Sequence, residues 1–430
     1  MVEDQTLQEP TEYGISVDIG SSRIVARLLN LRVNMIIDET SQPNPQNSIS
    51  LDVISRLRYA SKGRKESERC TAMLRESVSE LVRLLLEPKD LGPLDVRSVV
   101  IVGNSVMQGM FFGIGLQELL TPPYLLSNKS EFCLAGAELR FDEFPATLFF
   151  SPPPIESFVG ADAVAAILSS SEVIGTDCTL VLDIGVNTEI AFIEGNRIWV
   201  ASAASGPAFE GMSIDCGMPA EPGAIDDVHV SRDLTPSVSV IGNGSPMGIC
   251  GAGVIRVLDE LVIAGVLNEL GSFAIQQDSV WIGKESDATA YYLTSPIDRA
   301  FTDPIYISQI DIRMIQQSKA AIQAAILTLL SEAGAGPDKI KHVLVTGSFG
   351  QVLDIAAATR LGMMPAWPRA ECVQRGSLAL QGADMLHTDE RKRAAARGIS
   401  QKATYVELKD NPTFDIFYSK SMPFKPWTST

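Results

Sequence analysis

Val17-Asp18-Ile19-Gly20-Ser21-Ser22 and Leu182-Asp183-Ile184-Gly185-Val186-Asn187-Thr188-Glu189 are the stretches whose reading decides the fold. Each closes an apolar, β-branched run with an aspartate and a glycine turn. A buried strand would carry the carboxylate to its carboxyl end, and the glycine would let backbone N–H groups come close to a phosphate. One such turn alone is an ordinary exposed bend in many α/β proteins, with turn capping as its plainer role. A third strand end, Val343-Leu344-Val345-Thr346-Gly347-Ser348-Phe349-Gly350, runs into a helical pattern at 352–360. Three such ends, far apart in the chain, predict two facing lobes whose paired turns are halves of one nucleotide clamp.

Around the first turn, 13–17 and 24–31 have the spacing of a β-hairpin, and 35–38 supplies a third strand of a meander. That opening is ribonuclease-H-like. Apolar periodicity predicts helices over 51–60 and 67–86, a strand at 98–102, and helical character over 106–120 that Pro122-Pro123 stops. The tract Pro152-Pro153-Pro154 marks the expected lobe boundary, with a small-residue helix opening at 158–168. From 179 to 200 the strand, Asp-Ile-Gly turn and hairpin recur, which predicts an architectural duplication. Two glycine clusters come next, Ser205-Gly206-Pro207-Ala208-Phe209-Glu210-Gly211 and Gly248-Ile249-Cys250-Gly251-Ala252-Gly253, each before a helical apolar pattern whose first N–H groups favour anions. An alanine-rich helix over 310–332 leads to the third turn.

The 430 residues call for two or three domains. With 45% hydrophobic and 20% charged residues the composition is that of a globular protein, without an apolar run of the roughly eighteen residues a membrane span needs. The acidic start, Met1-Val2-Glu3-Asp4-Gln5, is unlike a secretory signal, so a soluble, cytoplasmic protein is expected. A net charge of −17 argues against nucleic acid as a partner. The six cysteines, Cys70, Cys133, Cys178, Cys216, Cys250 and Cys372, contain no Cys-x-x-Cys pair, so no zinc site or iron–sulfur cluster is expected. At least four should be buried as small apolar residues, while Cys216 and Cys250 sit in glycine-rich loops. Three histidines leave little material for a histidine-built metal site.

In the order Asp18 turn, Asp162 helix, Asp183 turn, alanine-rich helix and Gly347 turn, residues 14–366 resemble the actin, sugar-kinase and heat-shock-chaperone ATPase superfamily. That resemblance implies an α/β, two-lobed actin-like ATPase with duplicated ribonuclease-H-like subdomains. The lobes would span 14–152 and 153–430, after a disordered lead-in at 1–13. It further implies ATP and Mg²⁺. Asp18 and Asp183 would be magnesium-linked carboxylates, Asp162 an acid orienting the attacking water, and Glu210 a contact to metal or nucleotide. Gly20, Ser21, Ser22, Gly185, Val186, Asn187 and Thr188 would face phosphate. Gly206 and Gly251 would line the nucleotide, and Gly347, Ser348, Phe349 and Gly350 would form the adenosine motif. For Asp162, capping of its helix is the competing role.

Asn44-Pro45-Gln46, Asp52-Val53-Ile54-Ser55-Arg56-Leu57, Val102-Gly103-Asn104-Ser105-Val106-Met107, Ala208-Phe209-Glu210-Gly211, Gly248-Ile249-Cys250-Gly251-Ala252-Gly253 and Tyr405-Val406-Glu407-Leu408 narrow the resemblance to ATP-dependent reductive activators of corrinoid proteins, over about 14–425. The resemblance implies a homodimer and a cobalt(II) corrinoid protein returned to cobalt(I) for methyl transfer. The sequence departs from that family in carrying no ferredoxin-like cluster motif, so a separate low-potential donor is expected. Val186 and Thr188 stand where relatives tend to have threonine and glycine, and Ser348 where a glycine is usual. A small-metabolite kinase, an ATP-binding assembly or scaffold protein, and an activator of a radical-type dehydratase remain alternatives; the last needs a cysteine pair that is not evident.

Overall fold

The computed structural model describes residues 12–174, 177–274, 279–297, 303–347 and 349–427. The chain divides into two compact units, 1–175 with 377–403 and 176–376 with 404–430. The expected lead-in lies outside the described residues as far as residue 11.

In the first unit β1 (Tyr13–Ile19), β2 (Arg23–Asn30) and β3 (Met35–Pro43) form the expected meander. Then come α1 (Val53–Ala60), α2 (Arg64–Leu86), β4 (Val96–Gly103), α3 (Ser105–Phe112), β5 (Phe132–Ala135), β6 (Leu148–Ser151) and α4 (Ala161–Ile174). The strand order is β3-β2-β1-β4-β6-β5, with β1, β4 and β6 parallel. Alternation along β1 turns Ile15, Val17 and Ile19 into a core shared with Leu74, Val78, Leu81 and Leu85 of α2. Ser16 and Asp18 therefore occupy the opposite face.

The second unit opens with β7 (Thr179–Ile184), β8 (Thr188–Glu194) and β9 (Arg197–Ala203). After β10 (Ala224–Val230), β11 (Pro236–Val240) and β12 (Gly248–Ile249) come α5 (Gly251–Ile263), β13 (Ile282–Glu285), β14 (Ala288–Tyr292), β15 (Tyr306–Ser308), α6 (Gln309–Glu332), β16 (His342–Thr346), α7 (Ile355–Arg360) and β17 (Glu371–Gln374). The chain then returns to the first unit as α8 (Leu378–Asp384) and α9 (Glu390–Lys402), and ends in β18 (Ala403–Tyr405) and α10 (Pro412–Lys420). The second large sheet has the order β17-β16-β7-β8-β9-β18. Its β9-β8-β7 meander continued by parallel β16 and β17 repeats the β3-β2-β1-β4-β6 arrangement, so the duplication expected from the two turns is present in strand order and direction.

The division of the chain differs from the expected boundary at 152. Pro152–Pro154 lies inside the first unit, which runs on through α4. The reason is packing: α4 is alanine-rich and mostly buried, and Gly382 of α8 comes so close to the backbone of Ala165 that a side chain there would strike it. Ser169 Oγ also donates to the Leu378 carbonyl at 2.8 Å. Two polar anchors tie the returning segment to the sheet. Asp384 receives Arg27 Nη1 at 2.5 Å, and the buried His387 sits between Ser16 Oγ at 3.0 Å and Ser98 Oγ at 2.8 Å.

Three local expectations change. Helical character over 106–120 reduces to α3, because Gly113 at φ 75° ends the helix in the left-handed region, and only a 3-10 turn is found beyond it, at 117–120. The glycine cluster at 205–211 opens no α-helix; Gly211 at φ 72° stops it after the single turn Pro207–Glu210. Of the cysteines, Cys70 and Cys250 are buried, Cys178, Cys216 and Cys372 half-buried and Cys133 exposed, fewer fully buried than expected. No helix among the described residues is long and apolar enough to cross a membrane.

Candidate functional site

Each unit holds its own glycine turn, and the first joins β1 to β2. A Cβ at Gly20 would lie 2.7 Å from the Arg23 carbonyl, so the turn closes this tightly only around glycine. Its carbonyls are held inward: Gly20 O accepts from Asn44 Nδ2 at 2.8 Å, and Ser22 O accepts from the Asn44 N–H at 2.8 Å and from Asn47 Nδ2 at 3.0 Å. Asn104 Nδ2 donates to Ser21 Oγ at 3.2 Å. The N–H groups of Ser21 and Ser22 donate to nothing among the described residues, which leaves two donors beside the end of the strand that carries Asp18.

Asp162 belongs to the first turn of α4 rather than to the position before it, and its Oδ1 accepts the neighbouring Ala163 N–H at 2.7 Å. The start of α4 is pressed onto the β4–α3 turn, since a Cβ at Gly160 would lie 2.5 Å from Ser105 N and from the Asn104 carbonyl carbon. Asp162, Asn104 and Ser21 are thereby gathered at one end of the first sheet. Asn44, Asn47 and Asn104 lie in or beside motifs of the sequence that assign them no role of their own. Asn44 and Asn104 each cap the helical turn after them, a local signal that does not reveal their grip on the glycine turn.

In the second unit β7 delivers Asp183 and β8 begins at Thr188. The Gly185 N–H reaches Asn187 O at 3.2 Å, and the N–H groups of Val186 and Asn187 donate to nothing among the described residues. Gly206, at φ 77°, donates its N–H to Val186 O at 2.8 Å, which fastens the 205–211 loop to the turn. Thr188 is fully buried and its Oγ1 lies 2.9 Å from Ser205 Oγ, so its side chain serves the turn from within. Glu210 approaches the same turn: its Oε1 lies 3.5 Å from where a Cβ of Gly185 would stand.

Asp183 is half-buried, and burial pushes its carboxyl up to about 6. Gly347, at φ 91°, leaves room for it; a Cβ there would strike Asp183 Oδ1 and lie 2.6 Å from Ile184 O. Ser348 lies outside the described residues. Phe349 is buried and stacked on Phe209 with ring centroids 5.1 Å apart, and Gly251 fits beneath that pair, 3.0 Å from Phe349 Cδ2 by its would-be Cβ. Gly350 O accepts from Gln374 Nε2 at 2.8 Å. Phe349 and Gly350 therefore serve packing and hydrogen bonding within the second unit. Burial raises the thiols of Cys216 and Cys250, and Cys250 Sγ donates to Ile225 O at 3.4 Å.

Among the described residues no group of three or more His, Cys, Asp or Glu forms a metal cage. Magnesium does not require one, since it keeps several waters and takes one or two carboxylates together with phosphate oxygens. Asp183 beside two N–H groups that have no acceptor among the described residues, with Glu210 at the same turn, fits that manner of binding.

Comparison with known proteins bears on both units. The family model described as the C-terminal domain of RACo, the ASKHA domain, matches residues 177–429, and that of the RACo middle region matches 13–171. The corrinoid activation enzyme RamQ of Eubacterium limosum is 27% identical over 97% of this chain and 71% of its own length. The [Co(II) methylated amine-specific corrinoid protein] reductase of Methanosarcina barkeri is 25% identical over 97% of this chain and 77% of its own. A solved reductive activator for a corrinoid, iron–sulfur protein superposes with a TM-score of 0.85 at 26% identity, over 97% of this chain and 66% of the solved one. The ASKHA match alone takes in more than half of the chain, and the chain belongs to the RACo family.

Proposed function

We propose that this chain is an ATP-dependent activator that drives the reduction of a cobalt(II) corrinoid protein to cobalt(I), with the electron supplied by a separate low-potential donor. The observation that carries the reading is the duplicated turn. Two sheets that share a five-strand arrangement each end a central strand in Asp-Ile-Gly, and each turn has two backbone N–H groups unused by the described protein. Names of relatives that span nearly all of this chain support the corrinoid protein as partner.

On this reading Ser21, Ser22, Val186 and Asn187 would give N–H donors to the phosphates, and Asp18 and Asp183 would be the carboxylates that hold magnesium. Bound there, the ion would neutralise phosphate charge that grows as the terminal phosphate leaves. Asp162 is the acid offered for orienting the attacking water, by accepting its proton through a carboxylate oxygen, and Glu210 would contact metal or nucleotide. The Gly347 turn takes the nucleoside side. ATP and water become ADP and phosphate, and one electron passes from donor to cobalt. Hydrolysis helps only if the nucleotide states differ in affinity for the two forms of the corrinoid protein. Two copies of the chain are expected to act together.

The test measures ATP hydrolysis with and without a cobalt(II) corrinoid protein and a chemical reductant, following cobalt(I) by absorbance. ATP-dependent appearance of cobalt(I), lost in Asp18→Ala and Asp183→Ala, is expected. Stimulation by a sugar or small acid instead would turn the reading to a kinase. ATP binding by both variants at parental affinity would refute either enzyme.

A further inference from the structure

Ser205 belongs to no phosphate or adenosine motif of the sequence, yet its hydroxyl has three hydrogen-bond partners at the second turn. It is buried at 1% exposure. Its Oγ lies 2.9 Å from Thr188 Oγ1, 3.1 Å from Gly185 O and 3.2 Å from Val186 O. A hydroxyl has one proton to give, so the chemistry orders these contacts: Thr188 donates to Ser205, and Ser205 donates to the pair of turn carbonyls. The next residue, Gly206, donates its N–H to the same Val186 O. Thus both carbonyls of the turn are drawn toward Ser205-Gly206, while the N–H groups of Val186 and Asn187 have no acceptor among the described residues.

We infer that Ser205, acting with Thr188, is a positioning residue that fixes the peptide planes of the Gly185–Asn187 turn so that its free N–H groups face a polyphosphate. It also sets the spacing between that turn and Glu210, five residues further along the same loop. The inference rests on the proposed binding of ATP at this turn. Turning a carbonyl inward is the same motion as turning the next N–H outward, because one rigid peptide carries both. A hydroxyl buried against the turn is the means of holding that motion in one position.

The experiment measures affinity for ATP and for AMP by calorimetry in the full chain. Ser205→Ala should weaken ATP about tenfold, the usual scale for an unmade buried hydrogen bond, and leave AMP nearly unchanged, since AMP lacks the outer phosphates. Thr188→Val should weaken ATP in the same direction, Thr188→Ser should retain parental binding, and the Ser205→Ala/Thr188→Val pair should lose less than the sum of its parts. Equal loss for ATP and AMP would mean a general structural defect and overturn the inference. So would parental ATP affinity in Ser205→Ala when Asp183→Ala has lost it. If Asp183→Ala also binds normally, the ATP reading itself fails. Should Ser205→Ala not fold, the Thr188 pair decides: Thr188→Val binding ATP like the parent would overturn the role.

Discussion

Gly347→Ala tests whether the third turn and Asp183 are as tightly joined as the structure has them. Two costs are separable. Gly347 has φ 91°, and an L-residue forced to positive φ costs about 1–2 kcal/mol. In addition, the new methyl would stand 2.6 Å from Ile184 O and 2.8 Å from Ile184 N, in the backbone of the strand end that carries Asp183. Backbone cannot rotate away as a flexible side chain does, so an overpacking cost of about 1–3 kcal/mol is added. The sum, about 2–5 kcal/mol, corresponds to a fall of roughly 4–20 °C in Tm for a unit of this size. Gly334→Ala is the control: Gly334 also has positive φ, 65°, but a Cβ there meets nothing within 4 Å. It should incur only the conformational cost. Calorimetric melting and ATP titration of both variants are the assays. Gly347→Ala is expected to melt below Gly334→Ala and to lose ATP affinity, because the methyl displaces the Asp183 carboxylate. If the two variants melt within about 2 °C of each other and both bind ATP like the parent, the packing argument is refuted.

Acidity offers two further tests. Burial raises the Asp183 carboxyl to about 6, so the charged form that magnesium needs is lost as pH falls through about 6, and magnesium-dependent ATP affinity should drop there. The same raised value means that this group's contribution to stability declines as pH rises from about 4 to about 6; constant ATP affinity by calorimetry from about pH 7.5 to 5 would sink the assignment. His387 behaves in the opposite sense. Burial first, and Arg393 second, lower it to about 3, so the unfolded chain takes up a proton that the native one refuses, and stability should fall as pH drops from about 6.5 toward 3, by up to ~1.4 kcal/mol per pH unit. Denaturant melts of the parent and His387→Gln across that range check it, and an equal slope in both removes His387 as the cause.

Much of the fold is legible along the chain because its signals are local. A β-branched run, an aspartate and a glycine turn occupy consecutive residues, and the hairpin built on β7 has the same pattern as the one built on β1. Helix ends are harder. Gly113 and Gly211 cut short patterns whose apolar spacing continues past them, since a left-handed residue ends a helix whatever the character of the residues beyond it. The carboxylates and glycines of the candidate site are legible as residue types. Ser205, Asn44 and Asn104 are not, because each acts on a turn 17 or more residues away, at a distance in sequence that no period or motif encodes. The membership of 377–403 in the first unit is hidden for the same reason: nothing in that segment announces that its partners are Ser16, Arg27 and Ala165.

That returning segment has a consequence for dividing the protein. A fragment ending near residue 171, where the middle-region match stops, keeps most of α4 but loses α8, the helix that packs on Ala165 and bonds to Ser169. It would also leave Arg27 without Asp384, and Ser16 and Ser98 without the imidazole between them. The boundary drawn by sequence families and the boundary drawn by folding are thus different objects. A soluble first unit needs 377–403 grafted after α4 by a short linker, a rearranged gene rather than a truncated one.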